Sequence, residues 1–146
     1  MIPTQDYEAI KRIFNDKRIY EYLVDDLTPE DIEPPQGCVY LLSEDGDGLV
    51  MVIPRNSVEA EVHIAVLPEA RHKAYYYGKK AADWIFEQGV HKITAMIPQT
   101  NQQVLKYCLK LGFQQEGINR MSFLKDGKLQ DQFLLGLTKE EWLCHH

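Results

Sequence analysis

No stretch of this sequence approaches the roughly 20 consecutive apolar residues that a membrane-spanning helix needs, so no membrane partner is expected. The opening residues, MIPTQDYEAIKRIF, lack the basic start and apolar run of a secretory signal. Cysteine is scarce: Cys38, Cys108 and Cys144 are odd in number and far apart, which fits a reduced, cytoplasmic protein better than a disulfide scaffold. The 5 histidines form no HExxH and no cysteine pair has zinc spacing, so no metal is expected. Asp45-Gly46-Asp47-Gly48 starts like a calcium loop, but the closing glutamate is missing and a hairpin turn is the expectation. Lys and Arg are absent from residues 19–54, which hold nine acids: Glu21, Asp25, Asp26, Glu30, Asp31, Glu33, Glu44, Asp45 and Asp47.

What is present suits one globular domain. The chain has 146 residues, 45% of them apolar and 10% aromatic, enough for a packed core without disulfide staples. Its net charge is −6, which argues against nucleic acid, where phosphate contacts dominate affinity. Nine of the 22 acids sit in residues 19–54, leaving thirteen acids against 16 bases elsewhere, a net of +3. The acidic stretch reads either as a solvated face or as a field that attracts cationic substrates.

The pattern alternates between helix and strand. Thr4 is placed to cap a first helix with Tyr7, Ile10 and Phe14 on one stripe, and a short helix is expected over residues 17–24. An acidic, proline-containing loop precedes a hairpin, CVYLL and LVMVI about the turn at residues 44–48. In the next strand Ala60, Val62, Ile64 and Val66 share one face, while Glu61 and His63 share the other. A long helix follows over residues 69–88, then a strand over residues 91–97. Thr100 and Gln103 have capping-box spacing for a helix ending at Leu111-Gly112, and a final hairpin turns at residues 125–128. This mixed order implies an α/β (α+β) sheet with helices on its faces. It divides into a helical region at residues 1–37, a hairpin, central strand and helix at 38–97, and a helix with C-terminal strands at 98–146.

Two segments carry a family resemblance. HIAVLPEARHKA (residues 63–74) resembles the strand–turn–helix that binds acetyl-CoA in the GNAT superfamily of N-acetyltransferases. NQQVLKYCLKLGFQQEG (residues 101–117), with Asn101-x10-Gly112-Phe113, resembles the following helix and strand. The tail, from Arg120 through Asp126-Gly127 to Glu141-Trp142, is similar to the ribosomal-protein N-terminal acetyltransferase-like branch. Small tailed-phage members are similar in length and in the opening region. The implied fold is a mixed, mostly antiparallel central sheet flanked by helices, in which two neighbouring strands part. The pantetheine arm would bond to the freed edge at Ile64, Ala65 and Val66 like an added strand. The pyrophosphate would meet the next helix start, where Arg71, His72, Lys73, Ala74, Tyr75 and Tyr76 stand, with Asn101 nearby. The alternative reading of Arg71 and Lys73 is as solvated helix-start charges.

The sequence departs from the family in three places. Ala74 and Tyr76 fill positions the family keeps small. Cys108 stands where the family has its tyrosine acid, with Tyr107 one residue earlier; Cys108 reads either as a thiol acid or as a small core residue. The family's first strand is missing, which leaves a short sheet edge or one paired with another copy in a homodimer.

The resemblance implies an acetyl-CoA-dependent N-acetyltransferase whose acceptor is a small-molecule or protein amine. The acidic stretch would favour a cationic acceptor: a protein N-terminus, lysine or polyamine. Glu61 and His63 are candidate bases, or ordinary strand residues. The competing expectation is the same fold kept as a protein-binding module without activity.

Overall fold

The computed structural model describes residues 1–19, 25–28 and 31–145. The helix expected over residues 17–24 falls largely outside these residues, as do Glu21, Glu30 and His146. The elements are β1 (Ile2–Thr4), α1 (Tyr7–Phe14), β2 (Val39–Leu42), β3 (Gly48–Pro54) and β4 (Glu59–Val66), then a 3₁₀ segment (Pro68–Lys73) running into α2 (Ala74–Glu87). After them come β5 (Lys92–Pro98), α3 (Gln102–Leu111), β6 (Gln114–Lys125), β7 (Lys128–Thr138) and α4 (Lys139–His145).

The strands form one seven-stranded sheet in the order β1-β2-β3-β4-β5-β7-β6, mostly antiparallel, as the α/β expectation has it. One neighbouring pair, β4 with β5, is parallel. Alternation along β4 sends its residues to opposite sides: Ala60 joins the larger core under α2 and α3, and Ala65 joins a smaller one with Ile10, Ile13 and Phe14 of α1.

Four local expectations are corrected. The first strand is present: Ile2, Pro3 and Thr4 pair with Leu42, Leu41 and Tyr40. Its three residues are too few to show an alternating pattern, and Pro3 hides it further. Thr4 does not cap α1; its Oγ1 accepts from the Asp6 N–H, and Asp6 caps by accepting from Ala9. The long helix begins at Ala74 rather than residue 69, since the preceding residues wind as 3₁₀ behind Pro68. At α3 the cap is Asn101, accepting from the Val104 N–H, while the Thr100 hydroxyl donates to Gln130. Gly112, at φ 107°, closes α3 in the left-handed conformation the sequence implies.

Two carboxylates of the acidic stretch clamp turns. Asp26 accepts from the N–H groups of Asp126 and Gly127 at 2.7 and 2.8 Å, about 100 residues away, and so fixes the β6–β7 turn. Asp47 accepts from Lys73 and from the Tyr77 hydroxyl, both at 2.6 Å, and from Ser43 at 2.8 Å. The β2–β3 turn is thereby tied to the start of α2. The Tyr77 ring lies so close to Gly48 that an added Cβ would stand 2.5 Å from it. Gly48→Ala should therefore cost about 1–3 kcal/mol of stability by overpacking, read as a lower urea midpoint with an unchanged slope.

Candidate active site

β4 and β5 are in register only over Glu59–Lys92, Ala60–Ile93 and Glu61–Thr94. Beyond Glu61 they part. Each keeps a full-length antiparallel partner on its outer side: β4 pairs with β3 from Ala60 to Val66, and β5 with β7 from Lys92 to Pro98. Sheet twist then carries the two halves apart. The inward edge of β4 from Val62 to Val66 is left without a strand, where an extended ligand could bond.

Two cavities open at this fork. The outer one, about 310 Å³, is lined by Ile64, Ala65 and Val66 of β4, Arg71 and Ala74 at the helix start, Asn101, Val104 and Tyr107 of the α3 region, and Arg18. The inner one, about 170 Å³, begins at Val62, His63 and Ile97 and extends beneath α2 and α3. Ile64, Asn101, Val104 and Tyr107 belong to both walls.

The helix-start residues part company. Arg71 is exposed on the outer cavity and has no ion-pair partner among the described residues. Lys73 points elsewhere, held by Asp47 and Asp45 with its ammonium over the Tyr77 ring. His72 is exposed and lines neither cavity. Tyr76 is 57% exposed and turned outward, with Lys80 over its ring, so it does not fill the helix start. Tyr75 lies on the side of α2, its ring between Lys79 and Lys110. No side chain caps α2, and the 3₁₀ segment that leads into it carries Glu69 and Arg71.

Glu61 sits at the crotch of the fork. One carboxylate oxygen accepts from Arg55 and the other lies 2.8 Å from His63 Nε2. The His63 hydrogen bond, opposed by partial burial and reinforced by Arg55, holds the Glu61 carboxyl down at about 2. An ionised carboxylate only accepts, so neutral His63 carries its proton on Nε2 and its lone pair on Nδ1. Glu61 thus orients the imidazole, and His63 is the member of the pair that lines the cavity.

Cys108 is 5% exposed within the larger core, and burial pushes its thiol up to about 12. Burial likewise raises Tyr107, whose hydroxyl donates to the Ala74 carbonyl at 2.7 Å across the junction of the cavities. Gly78 makes room for it: a Cβ there would stand 2.1 Å from the hydroxyl. Sequence reading passes over Arg55 and Arg18; neither lies in a recognisable motif, and folding alone brings them to the site.

The described acids of residues 19–54 do not wall the cleft. Asp31 and Glu33 hold Lys11, Asp45 and Asp47 hold Lys73, and Asp26 holds the far hairpin. None lines either cavity.

No family model matches the sequence, and no curated protein matches it. Solved structures do. Spermidine N-acetyltransferase from Vibrio cholerae in complex with CoA and spermine is 21% identical, with a TM-score of 0.78 over 94% of this chain and 92% of that one. The N152L mutant of the Vibrio cholerae enzyme SpeG is 21% identical, with a TM-score of 0.79 over 99% and 95%. The chain has the GNAT acetyltransferase fold. At this identity the likeness speaks for the fold alone.

The depressed carboxyls make acid stability testable. Burial works to raise Asp47, but hydrogen bonds from Lys73, Tyr77 and Ser43 outweigh it and hold it near 2, against an ordinary 3.8; Glu61 falls from 4.5. Stability from both is fully present above about pH 4.5 and is lost as pH falls toward 2. Urea midpoints should drop steeply across that window. Glu61→Gln should flatten the drop by up to about one proton; a wild-type midpoint constant from pH 5 to 2.5 contradicts the assignment.

Proposed function

We propose that this chain is an acetyl-CoA-dependent N-acetyltransferase acting on a primary amine. The fork carries the reading: an unpaired strand edge leads from an uncapped helix start to an imidazole oriented by a carboxylate. The outer cavity suits a coenzyme arm, with the β4 edge for the pantetheine amides and Arg71 with the α2 N-terminus for phosphate. Tyr76, turned outward, leaves that approach open.

Bound along the fork, acetyl-CoA supplies a thioester whose carbonyl takes the amine nitrogen and releases the thiol. The chain contributes positioning first, by holding acceptor and donor within one cleft. His63 takes a proton from the ammonium acceptor at Nδ1, and Glu61 stabilises the imidazolium that results. Free β4 N–H groups supply donors for a developing oxyanion. Cys108, near 12, holds its proton more tightly than an ordinary thiol near 8.5, so it does not serve as the acid. A thiolate of ordinary pKa leaves without one.

The acceptor class we favour is a polyamine, ahead of a protein N-terminus or lysine. The net charge of −6 draws cations over a distance, and the solved structures of this fold include a complex with spermine. The alternative, an inactive binding module, rested on Tyr76, Cys108 and a missing strand. With β1 present and Tyr76 outside, only the burial of Cys108 still favours it.

Calorimetry with acetyl-CoA and a transfer assay over spermidine, lysine and a free-N-terminus peptide decide the matter. Saturable acetyl-CoA binding and transfer to spermidine are expected; no binding at millimolar ligand removes the enzyme reading. Arg71→Ala should weaken acetyl-CoA about 10- to 100-fold, the worth of a hydrogen bond to a charged group. His63→Gln should lower kcat about 10²- to 10⁴-fold while acetyl-CoA affinity stays within two-fold, about the loss of one general base.

A further inference from the structure

The inner cavity is larger than an acetyl group needs. From His63 and Ile97 it runs into the packed core, where Ala81 and Ala82 of α2, Ala95 of β5, and Leu111, Leu137 and Trp142 close it, each 6% exposed or less. Native cores seldom keep a void of this size. The facing positions Ala81, Ala82 and Ala95 carry small side chains, where leucine or valine would fill the space. Among the described residues no buried side-chain polar atom lacks a partner. An apolar cavity of about 150 Å³ stays dry and accepts a ligand of benzene's size, roughly six carbons.

We infer that the inner cavity is an acyl-chain site, so that the chain takes straight-chain acyl-CoA donors of about four to six carbons as well as acetyl-CoA. This rests on the acyltransferase reading above and extends it to the donor. The cavity opens at the fork, where the thioester would lie, and its walls are mostly apolar, with Asn101, Tyr107 and Gln132 among them. In the transfer the nitrogen–acyl bond forms as the carbon–sulfur bond breaks. One ammonium proton goes to His63 before attack, and the proton lost from nitrogen afterwards accompanies sulfur as coenzyme A thiol. The tail only changes its surroundings. Each methylene moved from water into the cavity is worth up to about a four-fold gain in affinity.

The experiment measures Kd by calorimetry and kcat/KM with one amine acceptor for acetyl-, butanoyl-, hexanoyl- and decanoyl-CoA. Affinity should rise to hexanoyl-CoA and fall at decanoyl-CoA, which exceeds the cavity. Ala81→Val, which narrows the inner end, should abolish the hexanoyl gain while acetyl-CoA values stay within two-fold. Should that variant not fold, the wild-type series alone decides. Acetyl-CoA binding with equal or weaker binding of every longer donor overturns the acyl-chain site and leaves the acetyltransferase reading standing. No binding of any acyl-CoA removes both.

Discussion

The site exists because two neighbouring strands cannot stay paired. β4 and β5 each make seven antiparallel register pairs on the outer side, and only three parallel register pairs join them. Parallel strands need a crossover between them, and here that crossover is the Pro68 turn with α2. The same connection that permits the parallel pair therefore puts a helix N-terminus at the mouth of the fork. An open backbone edge and a positive dipole end thus come together as one consequence of topology. Glu61 marks the last paired position, and His63 is the first polar side chain beyond it.

Charge in this molecule works mainly at short range. The acids between residues 19 and 54 look in one dimension like a single negative wall. Folded, those whose contacts are described are spent on separate tasks: Asp26 on a distant hairpin turn, Asp47 on the start of α2, Asp31 and Glu33 on Lys11. The basic cluster at residues 71–73 divides in the same way. Lys73 goes to the carboxylates of the β2–β3 turn, and Arg71 faces the outer cavity without a counter-ion among the described residues. A ligand phosphate would therefore meet a helix end and one free guanidinium rather than three cations.

Much of the fold was legible because its signals are periodic or punctuated. Period two exposed β4, glycine marked the end of α3, and Asp126-Gly127, both at positive φ, marked the last hairpin. Signals were missed where they were too short or lay outside a pattern. β1 is three residues long. α4 is announced by Thr138 and Glu141, which cap each other reciprocally, but capping-box spacing is common and no long apolar stripe follows it. Tyr76 looked obstructive in sequence because spacing says which residues are near the helix start, not which way each side chain turns.

The sequence by itself determined the mixed sheet, the order of its elements from the first hairpin to the last, and the presence of Glu61 and His63 on one face. These follow from backbone periodicity and turn chemistry, which are local. Only the tertiary structure decided that Arg55 would stand behind Glu61 and that Tyr107 would join two cavities. It also decided that small residues from α2 and β5 would face each other across a void. Those relations couple residues tens of positions apart, and no local preference encodes them; they arise when elements pack, because packing chooses which surfaces meet.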